Sequence, residues 1–256
     1  MVKRLEDELQ VQLFVRDQSH HQVNLTLAGN EFLAHAQKIL TELHTVKSDL
    51  KALSAQKVRF GLPPIIGSYY FPQLAQKLLQ ENLMSQLETV EAGSATLTKQ
   101  LQEGNLDVSI LGAIEPISIP EIATVTLAKT RFKIIVSKDH RLKDVTAIKF
   151  SELKSENFIA LKEWFVHPAA LRELTEKNGF QPKIIYTTHD INVLKGMVHE
   201  NVGIGFLSEM AISGERDLHA IDILDDDQPL FNIVLAYHPQ VNPLIEQLTN
   251  VLARPV

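Results

Sequence analysis

The sequence predicts an α/β protein in which a mainly parallel sheet follows one long helix. Three observations predict it. From Val58 onward, apolar runs of strand length alternate with amphipathic segments of helix length, the signature of βαβ units. Between Phe32 and Leu53, apolar residues recur in alternating steps of four and three. The composition, 45% hydrophobic and 22% charged over 256 residues, suits one large globular domain or two smaller ones.

The elements follow in order. Val2, Leu5 and Leu9 share one helical face and predict a helix over 2–10, with Leu13 and Phe14 as an apolar anchor. The polar stretch 17–21, followed by Val23 and Leu25, predicts a short hairpin with a polar tip. Thr26 is the candidate N-cap of the long helix. Its seam is Phe32, Ala36, Ile39, Leu43, Val46, Leu50 and Leu53, with no Gly or Pro after Gly29. That stripe is narrower than a core-facing one and predicts a dimer helix, against the alternative of packing on its own domain. Residues 54–56 read as a hinge. Beyond it, strands are predicted over 58–62, 87–91, 108–111, 132–136, 158–161, 184–186, 204–207 and 233–236. Helices are predicted over 71–81, 96–103, 168–178, 191–200 and 244–252.

Composition and motifs exclude several functions. Without cysteine there are no disulfides, thiol nucleophiles or thiolate zinc sites. Met1-Val2-Lys3-Arg4-Leu5-Glu6 lacks the apolar core of a secretory signal, and no run reaches the roughly 20 apolar residues of a membrane span. A cytoplasmic protein with no membrane partner is therefore expected. The net charge is −6, and the first 57 residues hold seven Lys/Arg and seven Asp/Glu, so no basic footprint marks a strong nucleic-acid binder. No G-x-S-x-G elbow occurs. Asp225-Asp226-Asp227 lacks the Gly and Glu spacing of a calcium loop and reads as an acidic turn, and Gly203-x-Gly205 is too short for a dinucleotide fingerprint. The ten histidines form no H-E-x-x-H pair. No catalytic residue, metal or cofactor is expected, and the chain is not expected to be an enzyme. Trp164, beside Phe165, either covers a cleft or fills a core.

A family resemblance runs along the whole chain. Leu5-Glu6, then Leu13-Phe14-Val15-Arg16, resembles the end of the winged helix-turn-helix of LysR-type transcriptional regulators, and Leu25-Thr26-Leu27-Ala28-Gly29 resembles their junction between wing and linker helix. Arg59-Phe60-Gly61-Leu62 is similar to the first strand of the effector domain, and Phe71-Pro72-Gln73-Leu74 to the start of a helix there. Leu101-x-x-Gly104-x-Leu106-Asp107-x-x-Ile110 resembles a family signature. Gly203-Ile204-Gly205-Phe206-Leu207 resembles a late turn, with Ser208 in place of the usual proline.

The resemblance implies a truncated winged helix-turn-helix over 1–27, comprising recognition-helix tail and wing, and a linker/dimerisation helix over 28–56. It implies an effector-binding domain over 57–256. That domain would have two lobes like a periplasmic binding protein, lobe I about 57–129 and 231–256, lobe II about 130–230. Family members carry about 30 further residues in front, including most base-reading positions. Sequence-specific DNA binding is thus expected to be impaired, with Lys3, Arg4 and Arg16, beside His20 and His21, left for phosphate contact.

The resemblance also places the effector between the lobes. It points to Pro64, Ile65, Gly67 and Ser68 after the first strand, to Ser94 and Thr96 opening a helix, and to Lys162, Thr188 and His189 in the second lobe. Hydroxyls at a helix start facing a cation suit an organic anion. The bland alternatives stand beside this: Ser94 and Thr96 as caps, Lys162 as a solvated surface residue, His189 as a cap or core residue. Pro63-Pro64 departs from the small polar residues common at that turn. The expected function is a ligand-responsive transcriptional regulator acting as a homodimer or homotetramer on promoter DNA. Its effector would be a small anionic metabolite, with an organic acid such as malate the working guess. The alternatives are a dimerising, effector-binding fragment without DNA binding, or a solute-binding protein.

Overall fold

The computed structural model describes residues 2–17, 22–55, 57–239 and 242–254, with the side chains of some residues in β1, β2 and α2 excepted. The chain divides into two compact units, one formed chiefly by residues 2–55 and the other chiefly by residues 57–254.

The first unit holds helix α1 (Val2–Leu9), an antiparallel hairpin of β1 (Phe14–Asp17) and β2 (Gln22–Leu25), and helix α2 (Leu27–Ala55). Thr26 joins hairpin to helix as the sequence predicts. Its hydroxyl accepts from the Gly29 N–H at 2.9 Å and donates to the Gln12 carbonyl at 2.6 Å. Gly29 is required here, because a Cβ would sit 2.0 Å from the Leu13 carbonyl oxygen. Glu6 caps the turn from α1 into β1, its Oε1 accepting from the N–H groups of Leu13 and Phe14. The predicted hinge at 54–56 differs from the structure: α2 continues through Ser54 and Ala55, since no Gly or Pro stops it, and Gln56 lies outside the described residues.

The second unit is a two-lobed α/β structure. In the first lobe β3 (Val58–Leu62) lies between β4 (Leu87–Glu91) and β5 (Val108–Ala113), all parallel, and antiparallel β12 (Leu230–Tyr237) follows β5. Helices α4 (Phe71–Gln80) and α8 (Pro243–Ala253) share one buried cluster with Val58, Phe60 and Ile110, whereas Leu97 and Leu101 of α5 (Ser94–Gln102) pack with Leu106 and Leu111 in another. Two covered faces explain why β3, β5 and β12 read as largely apolar runs, whereas β4, at the sheet edge, does not.

The second lobe orders its strands β7 (Ala147–Ile148), β11 (Leu218–Ile223), β6 (Ala123–Ser137), β10 (Ile204–Ser208), β8 (Asn157–Leu161) and β9 (Lys183–Thr188). Helices α6 (His167–Asn178) and α7 (Ile191–His199) supply Leu171 and Leu174 to one buried cluster and Leu194 and Val198 to another. Strand β6 belongs to both lobes. Ala123–Arg131 pairs with β12, and Phe132–Ser137 pairs with β10 and β11.

The segment after β3 is helical rather than a plain turn: α3 (Pro64–Tyr69) starts on Pro64, whose fixed φ is pre-set for a first helical turn.

Candidate functional site

Helix α3 carries lobe I against lobe II. Ile65 packs in one buried cluster with Leu161, Leu194 and Leu207, and the Tyr69 hydroxyl receives a hydrogen bond from Lys195 Nζ at 2.9 Å. The lobes approach again at Gly93, where a Cβ would stand 2.5 Å from the Trp164 carbonyl oxygen. Only glycine lets these two backbones come so close.

Between these contacts lies a cavity of about 180 Å³. Lobe I contributes Pro63–Ile66 and Glu91–Ser94, lobe II contributes Trp164–His167, and Phe231 of β12 completes the wall. Two helices begin at this wall, α5 behind Gly93 and α6 behind Val166. The first N–H groups of a helix have no intrahelical partner and carry the positive end of its dipole. The Ser94 hydroxyl, on a residue that lines the cavity, accepts from the Gly112 N–H at 2.9 Å, which ties α5 to β5. Glu91 is exposed at the edge, a carboxylate that can accept from a ligand hydroxyl.

Of the residues predicted from sequence, Pro64, Ile65 and Ser94 line this cavity. Gly67 lies within α3, half-buried, and Ser68 and Thr96 are exposed; none of the three lines it. Lys162 and His189 border a different, larger cavity of about 500 Å³ between β8, β9 and α6. Both are exposed there, and the His189 ring lies 4.4 Å from that of Trp164, centroid to centroid. Thr188 is buried, its Oγ1 accepting from the Asp190 N–H, and Asp190 caps α7 by accepting from the Asn192 N–H. The structure therefore brings Pro64, Ile65 and Ser94 together and sets Lys162 and His189 apart from them. Trp164, 68% exposed, belongs to both walls.

Sequence reasoning missed His167. It is 2% exposed, in the cavity wall, edge-on to Phe132 at 5.3 Å and beside Phe231 at 5.7 Å. Its Nε2 accepts from the Ser208 N–H at 3.1 Å, while Nδ1 has no hydrogen-bond partner. Burial pushes its pKa down to about 3, so the ring is neutral near pH 7. A neutral ring whose Nε2 accepts carries its proton on Nδ1. The available signal was the position of His167 directly before Pro168 at a helix start, but nothing in the sequence announces its burial.

In the first unit, Lys3 and Arg4 are exposed on α1. The side chain of Arg16 lies outside the described residues, as do His20 and His21. Along α2, Phe32 and Ala36 are half-buried and Ile39, Leu43, Val46 and Leu50 are exposed on the predicted seam; the Leu53 side chain lies outside the described residues. Among the described residues no cluster of three or more His, Asp or Glu could hold a metal, and no helix is long and apolar enough to cross a membrane.

A family model described as the LysR substrate binding domain matches residues 51–254. The malolactic fermentation system transcriptional activator of Lactococcus lactis subsp. lactis (strain IL1403) is 30% identical, over 96% of this chain and 83% of its own length. Among solved structures, the effector binding domain of QuiR in complex with shikimate gives a TM-score of 0.67 at 15% identity, over 77% of this chain and 95% of that one. CbnR, described as a LysR family transcriptional regulator, gives 0.63 at 16%, over 98% of this chain and 88% of that one. At these structural identities the likeness concerns the fold.

Proposed function

The chain belongs to the LysR family of transcriptional regulators, and from that premise we propose that it is a ligand-responsive regulator whose interlobe cavity takes a small organic acid. One observation carries the reading: two helix N-termini, one from each lobe, begin at the wall of one cavity. Two helix starts at one cavity wall favour a carboxylate, and each lobe would contribute its share of the binding only when the lobes are closed on the ligand. At about 180 Å³ the space is below the range of drug-sized pockets and matches a compact metabolite. Exposed Glu91 suits a hydroxyl on that metabolite, which makes a hydroxy acid a better match than an unsubstituted one. The name of the Lactococcus relative adds weight to malate, and the QuiR complex to cyclic hydroxy acids such as shikimate.

The regulator reading further assigns α2 to homodimerisation through Ile39, Leu43, Val46 and Leu50, and Lys3, Arg4 and Arg16 to DNA phosphate. Ligand-driven closure would shift the packing of the oligomer on promoter DNA. The test is calorimetric titration and thermal denaturation of the chain with L-malate and with shikimate. A concentration-dependent rise in melting temperature with one of them is expected. The absence of a shift with both would remove the organic-acid reading.

A further inference from the structure

We propose a second ligand site, within lobe II alone, that takes a small aromatic carboxylate. It is the cavity of about 500 Å³ between β8, β9 and α6, and it stands independently of the reading given to the interlobe cavity.

The topology makes the space. From β8 the chain passes through α6 to β9 on one side of β8, then through α7 to β10 on the other side. Leu171 and Leu174 of α6 pack in one cluster with Phe158, whereas Leu194 and Val198 of α7 pack in another with Ile159 and Leu161. Neighbouring residues of a strand point to opposite faces, so the two helices cover opposite faces of the sheet. The direction of winding therefore reverses between β8 and β9. In open α/β sheets, the crevice outside the strand carboxyl ends at such a reversal is where ligands bind. Helix α6 packs on β8 and β10, and the sheet extends one strand further. Ile184 and Thr187 of β9 stay exposed beside the helix and form the cavity floor.

Backbone bonds assemble the rim. The Lys162 N–H donates to the Thr188 carbonyl at 2.9 Å, so the ladder carries Lys162 to the side of His189. The Phe165 N–H donates to the Lys162 carbonyl at 3.1 Å and closes a turn that contains Trp164. One cation and two rings are thereby held together at the ends of two paired strands. Arg172 is already paired with Glu163, at 3.1 and 3.3 Å to its two oxygens. Lys162 has no ion-pair partner among the described residues. The rim thus presents one uncompensated positive charge in a chain of net charge −6.

The rings set the shape of the ligand. Trp164 is 68% exposed although its ring contacts that of His189. Most of the indole is uncovered, which makes it a stacking platform for a flat ring. Pro168, Leu171 and Pro182 line the walls with apolar surface. A carboxylate at Lys162 with an aromatic body over Trp164 and these walls answers the charge, the platform and the lining together. The volume lies within the range of small-molecule pockets.

The experiment titrates the 256-residue chain by calorimetry with benzoate, benzamide and cyclohexanecarboxylate. Benzoate is expected to bind wild type with a Kd of about 1 mM or below. Benzamide lacks the charge and cyclohexanecarboxylate lacks the stacking face, and each should bind at least about 5-fold more weakly. Lys162→Gln should weaken benzoate at least about 5-fold and His189→Ala about 3-fold. Both residues are exposed, so the unliganded melting temperatures should match wild type. Failure of benzoate to bind wild type overturns the proposal. Equal affinity in wild type and Lys162→Gln also overturns it, by placing the acid elsewhere, and a change in sedimentation in its stead assigns the face to a second copy of the chain. Benzamide binding as tightly as benzoate removes the carboxylate. None of these results bears on the interlobe cavity, which is decided by L-malate and shikimate.

Discussion

Lys195 of α7 and Tyr69 of α3 join the two lobes: Lys195 Nζ donates to the Tyr69 hydroxyl at 2.9 Å and lies 4.6 Å from the centre of the same ring. The ammonium is 7% exposed and completes its pairing with Glu215 at 2.5 Å. Helix α3 also places Pro64 and Ile65 in the cavity wall. The contact therefore sets the position of one side of the site from the opposite lobe. Lys195→Met keeps the apolar stem and removes the charge. It should cost about 1–3 kcal/mol in urea unfolding, with Tyr69→Phe costing less, because only one hydrogen bond is lost there. Acid affinity should fall in both. Unchanged stability in Lys195→Met would mean that the contact is merely incidental to the closed arrangement.

His167 makes stability depend on pH. Its pKa is about 3 in the folded chain, against an ordinary 6.5 when unfolded. The unfolded chain thus takes up a proton first as pH falls. The stability tied to the neutral ring is complete above pH 6.5 and declines from there toward pH 3. Between pH 7 and pH 5 the loss should be about 2 kcal/mol. The measurement is the urea midpoint at both pH values in wild type and His167→Phe. The variant should show a pH slope shallower by that amount, and identical slopes would count against a buried neutral imidazole.

Asp107 is a buried carboxylate of lobe I. Its carboxylate accepts from the Arg59 backbone N–H at 2.7 Å and from Arg59 Nε at 3.1 Å, and pairs with the guanidinium a third time through Nη2. Its own N–H returns a bond to the Arg59 carbonyl at 3.0 Å. Removing one partner from a buried pair leaves the other charge uncompensated. Asp107→Ala should cost about 3 kcal/mol or more, read by denaturant unfolding, and more than Arg59→Met, which removes the charge but leaves the backbone donor.

The seam of α2 predicts association. Ile39 is 69% exposed and Leu50 is 63% exposed, an arrangement that exposes large apolar groups in a regular stripe. The double variant Leu43→Glu with Leu50→Glu should sediment as a monomer at concentrations where wild type is a dimer or larger. Its effector domain should melt at the wild-type temperature. A wild type that sediments as a monomer would overturn the dimer-helix assignment.

Much of this architecture is legible in the sequence, for a physical reason. Strands such as β3, β5 and β10 are covered on both faces and must be apolar throughout, and α4, α6, α7 and α8 keep one apolar stripe. Where cover is partial the signal fades. The first half of β6, Ala-Thr-Val-Thr-Leu-Ala-Lys-Thr-Arg, is mostly exposed or half-buried and does not read as a strand, and β11, Leu-His-Ala-Ile-Asp-Ile, hides its alternation in six residues. Helix α3 is too short to show a period. At the site, Ser94 is visible because it opens a helix. The separation of Lys162 and His189 from Ser94 depends on where β8 and β9 place their loops, and no local pattern encodes that. The tautomer of His167 is set by Ser208, 41 residues away, and becomes visible only when the two meet.

Strand β6 runs through 15 residues from one lobe's sheet into the other, with one irregularity in its pairing to β12 where Leu127 is skipped. A hinge made of loop residues bends about a few free torsions. A continuous ladder resists bending and yields most easily by changing its twist. Ligand capture in this protein would then wind the shared strand like a torsion bar, so that releasing the ligand recovers elastic energy. The same continuity means that neither lobe can lose its sheet without stripping hydrogen bonds from its neighbour, which predisposes the pair to melt as one cooperative body.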